Sequence, residues 1–146
     1  MSRWVARISE AELAAVTRQA LSAGLLEGQR AAVFHHLGMM RERIDLLARY
    51  FPAGTLDAVA IKAKPLIEVL RAVVEAGAGL EAASLEEVHL GLAAGCSPER
   101  IVFDSPAKTT EELRVALDRG LYLNADNLAE LARIAELAAG IKSPKL

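Results

Sequence analysis

The sequence is short of cysteine and of aromatic residues, and neither sign of charge is in large excess. One cysteine excludes an internal disulfide framework and fits a reducing, cytoplasmic setting. Aromatic residues make up only 4% of the chain, too few for a base-stacking surface. With 17 basic against 19 acidic residues, the net charge of −2 gives no electrostatic footprint for nucleic acid or an anionic membrane. No uncharged apolar stretch approaches the roughly 18 residues of a membrane span. The N-terminal MSRWVARISEAEL lacks the apolar centre of a secretory signal. His35 and His36 are adjacent and His89 stands alone, so no metal-ligand spacing is present. What remains is a chain of 146 residues, 53% hydrophobic, enough for one globular domain with a modest core.

What is there is order. The segment ISEAELAAVTRQALSAG predicts a helix opened by Ser9 with Glu12 three residues later and stopped at Gly24. Its apolar face is Leu13, Val16, Ala20 and Leu21. AAVF, residues 31–34, predicts a short strand. GMMRERIDLLARYFP then predicts a helix closed by Pro52, with Met39 and Met40 as core residues. From residue 58 the chain repeats: short apolar runs begin near Val59, Leu80, Ile101 and Leu121, at intervals of 21, 21 and 20 residues. Each is followed by a helix-coded segment ending at a glycine: Gly77, Gly91 or Gly95, Gly120 and Gly140. Three of these helices carry capping-box spacing, Ser84 with Glu87, Thr109 with Glu112 and Asn127 with Glu130.

Runs this short and this apolar suit a parallel sheet covered by helices, the rhythm of a (β/α)8 barrel or of one side of a doubly wound sheet. Polar residues collect where the runs end: Lys62, Ser84, Asp104 with Ser105, and Asn124 with Asp126. Barrel active sites are built there, whereas KAKP offers no glycine fingerprint for a dinucleotide. Ser84 and Asp126 also serve as helix N-caps. Lysine is not a capping residue, so Lys62 in VAIKAKPLIEV requires another explanation. An ammonium at the end of a buried strand is costly unless something there uses it.

The stretch from AIKAKP through GAGLEAAS and PERIVFDSPAK to LYLNADNLAEL resembles the first half of the barrel of the alanine-racemase-like, fold type III pyridoxal-phosphate enzymes. Within them it is most similar to the diaminopimelate, ornithine and arginine decarboxylases. The resemblance runs from about residue 31 to 139. It implies that Lys62 is the lysine forming the cofactor's Schiff base. The chemistry suits a primary amine, which condenses with an aldehyde only while unprotonated. The resemblance further places Glu81 where the family usually has aspartate, on the inward face by strand alternation, and Ser84 at the end of the same strand. Asp104 and Lys108 fall in the third-strand loop, where Lys108 reads as a structural residue before a cofactor contact, and Asn124 and Asp126 at the end of the fourth strand, where capping is the commoner role. Lys64 replaces the family's asparagine and puts a second ammonium two residues from Lys62.

The expected architecture is therefore α/β, part of a (β/α)8 barrel. About four parallel βα units over residues 31–146 follow an N-terminal helical segment over 1–30. A complete barrel takes about 250 residues. The glycine-rich phosphate loop, the acid facing the pyridine nitrogen, the histidine over the ring and the cysteine of the β-domain, all implied by the resemblance, have no counterpart here. Cys96 in AGCSP is a loop residue. The expectation is a truncated decarboxylase of basic or diamino acids, inactive alone and self-associating to cover open strand edges. The alternatives are a racemase of the same fold and a non-catalytic half-barrel that assembles or binds the cofactor.

Overall fold

A computed structural model describes residues 8–139, which divide into two compact units between Met39 and Met40. Gly140, read above as the last helix stop, lies outside the described residues.

In the first unit, α1 (Glu10–Ser22) begins with a reciprocal cap. Glu12 N donates to Ser9 Oγ at 3.2 Å, and Ser9 N donates to Glu12 Oε2 at 2.8 Å. Its expected apolar face is only partly used: Ala20 is buried, while Leu13 and Leu21 are 51% and 61% exposed. The strand expected at Ala31–Phe34 does not form, and Val33 is 75% exposed. Every strand among the described residues lies between Ala58 and Leu123, and none of them pairs with AAVF. Its β-coded composition therefore finds no ladder to join.

From Met40 on, α2 (Leu37–Tyr50) belongs to the second unit and contributes Ile44 to its core. Four strand–helix units follow: β1 (Ala58–Ala60) with α3 (Ile67–Glu75), β2 (Gly79–Ala82) with α4 (Leu85–Ala93), β3 (Ile101–Phe103) with α5 (Thr110–Arg119), and β4 (Tyr122–Leu123) with α6 (Leu128–Leu137). The sheet order is β1-β2-β3-β4, and every neighbour is parallel. Crossovers between parallel strands are right-handed. An order that never reverses therefore returns every helix to the same face. This is the wall of a (β/α)8 barrel, not a doubly wound sheet, whose order reverses at a switch point.

Burial follows that winding. Leu80, Ala82, Ile101, Phe103, Leu121 and Leu123 are each at most 1% exposed and join a core with Leu70, Val73, Val88, Leu113 and Ile134. Gly91 sits inside α4, not at its end; a Cβ there would stand 3.3 Å from Ile101 Cδ1 and Leu80 Cδ1. Its missing side chain lets α4 close on the sheet. The helix stop is Gly95, at φ 91°.

The core holds one charged pair among the described residues. Lys108 and Glu130 have fully buried side chains, and Lys108 Nζ lies 2.7 Å from Glu130 Oε1. The contact is an ion pair off good hydrogen-bond alignment, and Glu130 Oε2 accepts no hydrogen bond among the described residues. Lys108 Nζ also donates to the Ser105 carbonyl and sits 5.7 Å from the centre of the Phe103 ring. Glu130 is thereby drawn away from the second half of a capping box. Asn127 still accepts from Glu130 N at 2.9 Å, but Glu130 does not reach back.

Two outcomes are expected. Lys108→Met should cost about 3–5 kcal/mol by urea unfolding of the full chain, because it strands a buried carboxylate. The Lys108→Met/Glu130→Leu double variant should cost less than the single one. Cys96, 3% exposed, donates its thiol to the Arg100 carbonyl at 3.6 Å. Burial pushes this thiol above its ordinary range, with Arg100 opposing. Iodoacetamide should therefore label the native chain slowly and the urea-unfolded chain quickly; equal rates would contradict this burial.

Candidate functional site

The face of the sheet away from the helices carries the alternate residues. Ala60, Glu81, Val102 and Tyr122 stand opposite one another in the ladder, and each is only half-buried. Their neighbours in sequence point into the core, so alternation puts these four on the uncovered side. Parallel strands bring their C-terminal ends to one edge, and Lys62, Asp104 and Asn124, among the site residues read from sequence, lie on the uncovered face there.

β1 ends at Ala60 and passes at once into one 3-10 turn, Ile61–Ala63, closed by Lys64 N donating to Ile61 O at 2.9 Å. Lys62 therefore sits in the middle of a turn and not in the strand itself. Pro65 does not open the helix directly: α3 begins at Ile67 with Leu66 in the capping position. The residue before a proline is steered away from helical backbone, which separates turn from helix. Ile61 anchors the turn, fully buried on the helix side. Lys62 emerges on the other side, its Nζ 3.2 Å from Glu81 Oε1, with side chains 60% and 16% exposed respectively.

Asp104 and Asn124 continue the uncovered row. Asp104 N donates to Ala82 O at 2.9 Å and Asn124 N donates to Phe103 O at 3.2 Å, so the ladder runs one residue past β3 and β4. Phe103 and Leu123 face the core, which places Asp104 and Asn124 on the side of Val102 and Tyr122; both are exposed.

The other expected site residues are committed elsewhere or stand apart. Ser84 caps α4, its Oγ accepting from Glu87 N at 3.3 Å. Glu87 in turn accepts from Ala83 N at 2.8 Å, one residue short of the usual capping box. Asp126 accepts from Asn127 Nδ2 at 3.3 Å, and the cap of α6 is Asn127. Lys64 is half-buried at the end of the 3-10 turn. Lys108 is not at the mouth at all: its ammonium is buried with Glu130 against Phe103, on the helix-covered side. Sequence reasoning missed Glu130 as its partner, because Asn127-x-x-Glu130 reads as a cap.

A separate hollow of about 320 Å³ lies wholly within the first unit, lined by Ile8, Leu13, Val16, Phe34 and His36 among others. None of the site residues read from sequence lines it. No group of three or more metal-ligating side chains occurs among the described residues, and no helix among them is long and apolar enough to cross a membrane.

The chain is 36% identical over 88 residues to diaminopimelate decarboxylase of Zymomonas mobilis, covering 60% of this chain and 21% of that one. It is 30% identical over 119 residues to ornithine decarboxylase of Caenorhabditis elegans, covering 81% and 28%. The arginine decarboxylase structure of Paramecium bursaria Chlorella virus superposes with a TM-score of 0.69 at 25% identity, covering 84% of this chain and 33% of that one. The chain thus spans between about a fifth and a third of the length of these relatives. Residues 37–144 match the pyridoxal-binding domain of the pyridoxal-dependent decarboxylases. That match takes in all four strand–helix units and the lysine at their edge, and the chain belongs to this family of decarboxylases.

Proposed function

We propose that Lys62 is the residue through which this chain holds pyridoxal phosphate, as part of an amino-acid decarboxylase of the diaminopimelate or ornithine type. The observation that carries the reading is the Lys62 ammonium on the uncovered face, 60% exposed and 3.2 Å from Glu81. A carbonyl-bearing cofactor needs a reachable primary amine with an acceptor beside it, and these two residues fit that need. When bound, the cofactor supplies an aldehyde for an amine to hold and a conjugated ring that takes up the electrons left as a carboxylate departs. Glu81 Oε1 orients the Lys62 ammonium and is placed to take a proton from Nζ as the amine is freed. Val102 and Tyr122 follow Glu81 in the same uncovered row.

Four units wall the lysine on one side only, so the chain alone is read as binding without turnover. Among the described residues β1 and β4 pair with no strand beyond the sheet, and unpaired parallel edges recruit further strands. Self-association into a homodimer or larger assembly covers them. Light scattering of the 146-residue chain at micromolar concentration should give at least twice the monomer mass of 15.6 kDa; a strict monomer would sink this part of the reading.

The attachment is tested by adding pyridoxal phosphate, reducing with borohydride and mapping the modified peptide. The expected result is one dominant adduct on Lys62, lost in Lys62→Ala. A folded chain modified only at scattered surface lysines would leave a scaffold without cofactor chemistry.

A further inference from the structure

We infer that His36 is a pH-dependent cap for α2: the neutral ring closes the first helical turn, and protonation releases that turn and sends the ring toward Glu12 of α1. This lies outside the proposed cofactor site and does not rest on Lys62. The ring and both of its partners belong to the first unit.

No Ser, Thr, Asp or Asn precedes α2, and its first turn holds no acidic residue. Two histidines meet its free N–H groups instead. Leu37 N donates to the His35 carbonyl at 3.1 Å, and Met39 N donates to His36 Nδ1 at 2.9 Å. The ring lies against the turn it closes: a Cβ at Gly38 would stand 3.3 Å from His36 Cε1 and 3.6 Å from Nδ1. Glycine at 38 thus leaves the imidazole room over the helix start. The bond lands on Met39, the last residue before the chain passes, within α2, from the first unit to the second.

A hydroxyl or amide cap accepts at any pH, and an imidazole nitrogen does not. Accepting at Nδ1 fixes the neutral ring with its proton on Nε2. A second proton, on Nδ1, removes the acceptor and sets a cation against the positive end of the helix. Histidine is the side chain whose charge changes between about pH 5 and 8.

Across the hollow, Glu12 is placed to receive that cation. Glu12, Phe34, His35 and His36 all line the same space of about 320 Å³. Both Ser9 bonds fall on Glu12 Oε2, so Oε1 accepts no hydrogen bond among the described residues. Those Ser9 bonds hold the Glu12 carboxyl below the ordinary carboxylate range, and the charge of His36 adds to the effect. Glu12 therefore stays ionised while His36 gains its proton. His35 is the other titratable group at the hollow. Arg41, the first charged residue of α2, is paired with Glu75 at 3.4 Å. The neutral ring is the one that caps, so the cap is present at high pH and lost as pH falls.

The test is an NMR titration of the ¹⁵N-labelled 146-residue chain from about pH 8 to pH 5, following the Met39 amide and the His36 ring nitrogens. The Met39 amide proton should lose its hydrogen-bonded shift with the same midpoint at which Nδ1 gains its proton. Its protection against exchange, corrected for the intrinsic rate, should fall about fivefold, the size of one helix cap. In His36→Asn, whose amide caps without titrating, the Met39 amide should hold its position throughout while His35 still titrates. Glu12→Gln keeps the reciprocal cap of α1 and should move the Met39 transition to lower pH. Circular dichroism at pH 8 checks that each variant is folded, and the wild-type titration stands without them. A Met39 amide that ignores the protonation of His36, or that still titrates in His36→Asn, overturns the inference. An unmoved midpoint in Glu12→Gln overturns the part assigned to Glu12.

Discussion

A parallel strand can reach its neighbour only by a crossover, and here every crossover delivers the chain to the next place in the sheet. Three such steps with one handedness stack α3, α4 and α5 on one side, and α6 adds Ile134 to the same core. The interior of the protein is then settled strand by strand: Leu80, Ile101, Phe103, Leu121 and Leu123 turn to the helices and vanish from solvent. Their alternates have nowhere to go but the other face. That face holds Glu81, Val102 and Tyr122, and the turn after β1 adds Lys62. The site is thus a consequence of the winding, because whatever chemistry the strands carry has to leave on the side the helices do not occupy.

Lys62–Glu81 and Lys108–Glu130 lie on opposite sides of this sheet, and they differ in how far solvent reaches them. Lys62 keeps 60% of its side chain in solvent, so its pair with Glu81 is worth at most about 1 kcal/mol to the fold. Such a contact is easily broken and remade, as the role proposed for Lys62 requires. Lys108 and Glu130 expose nothing. Separating them leaves a bare charge in the core, so that pair cannot open during a reaction without unfolding its surroundings. Magnitude, not residue type, decides which lysine is available.

Much of this was legible in the residues. The interval of about 21 residues between apolar runs appears as four strand–helix units, and Ser84, Thr109 and Asn127 cap helices where they stand. The errors share a cause. AAVF has strand composition, but a strand exists only where an edge accepts it, and pairing is not written in four residues. Gly91 offered the same local signal as Gly95; what separates them is the sheet beneath α4, invisible in one dimension. Lys108 lies in a loop of familiar pattern, yet its side chain turns back under α6, because its partner is 22 residues away in Glu130. Local rules read caps and periods well and long-range charge pairing poorly.

The buried pair also shows why an isolated count of interactions misleads. An apolar pair of similar volume would stabilise the core about as well as Lys108 and Glu130, and possession of a buried ion pair is weak evidence for stability. An apolar side chain at 108 could not, however, donate to the Ser105 carbonyl while gripping α6. The ammonium has several donors to distribute. One satisfies the loop that bears Asp104, another meets the carboxylate of the next unit's helix, and the cation rests against Phe103 of the strand between. The loop at the sheet's open edge is thereby referenced to the core behind it. If that coupling is what the pair contributes, its charge belongs to the geometry of the mouth even though its atoms never reach it.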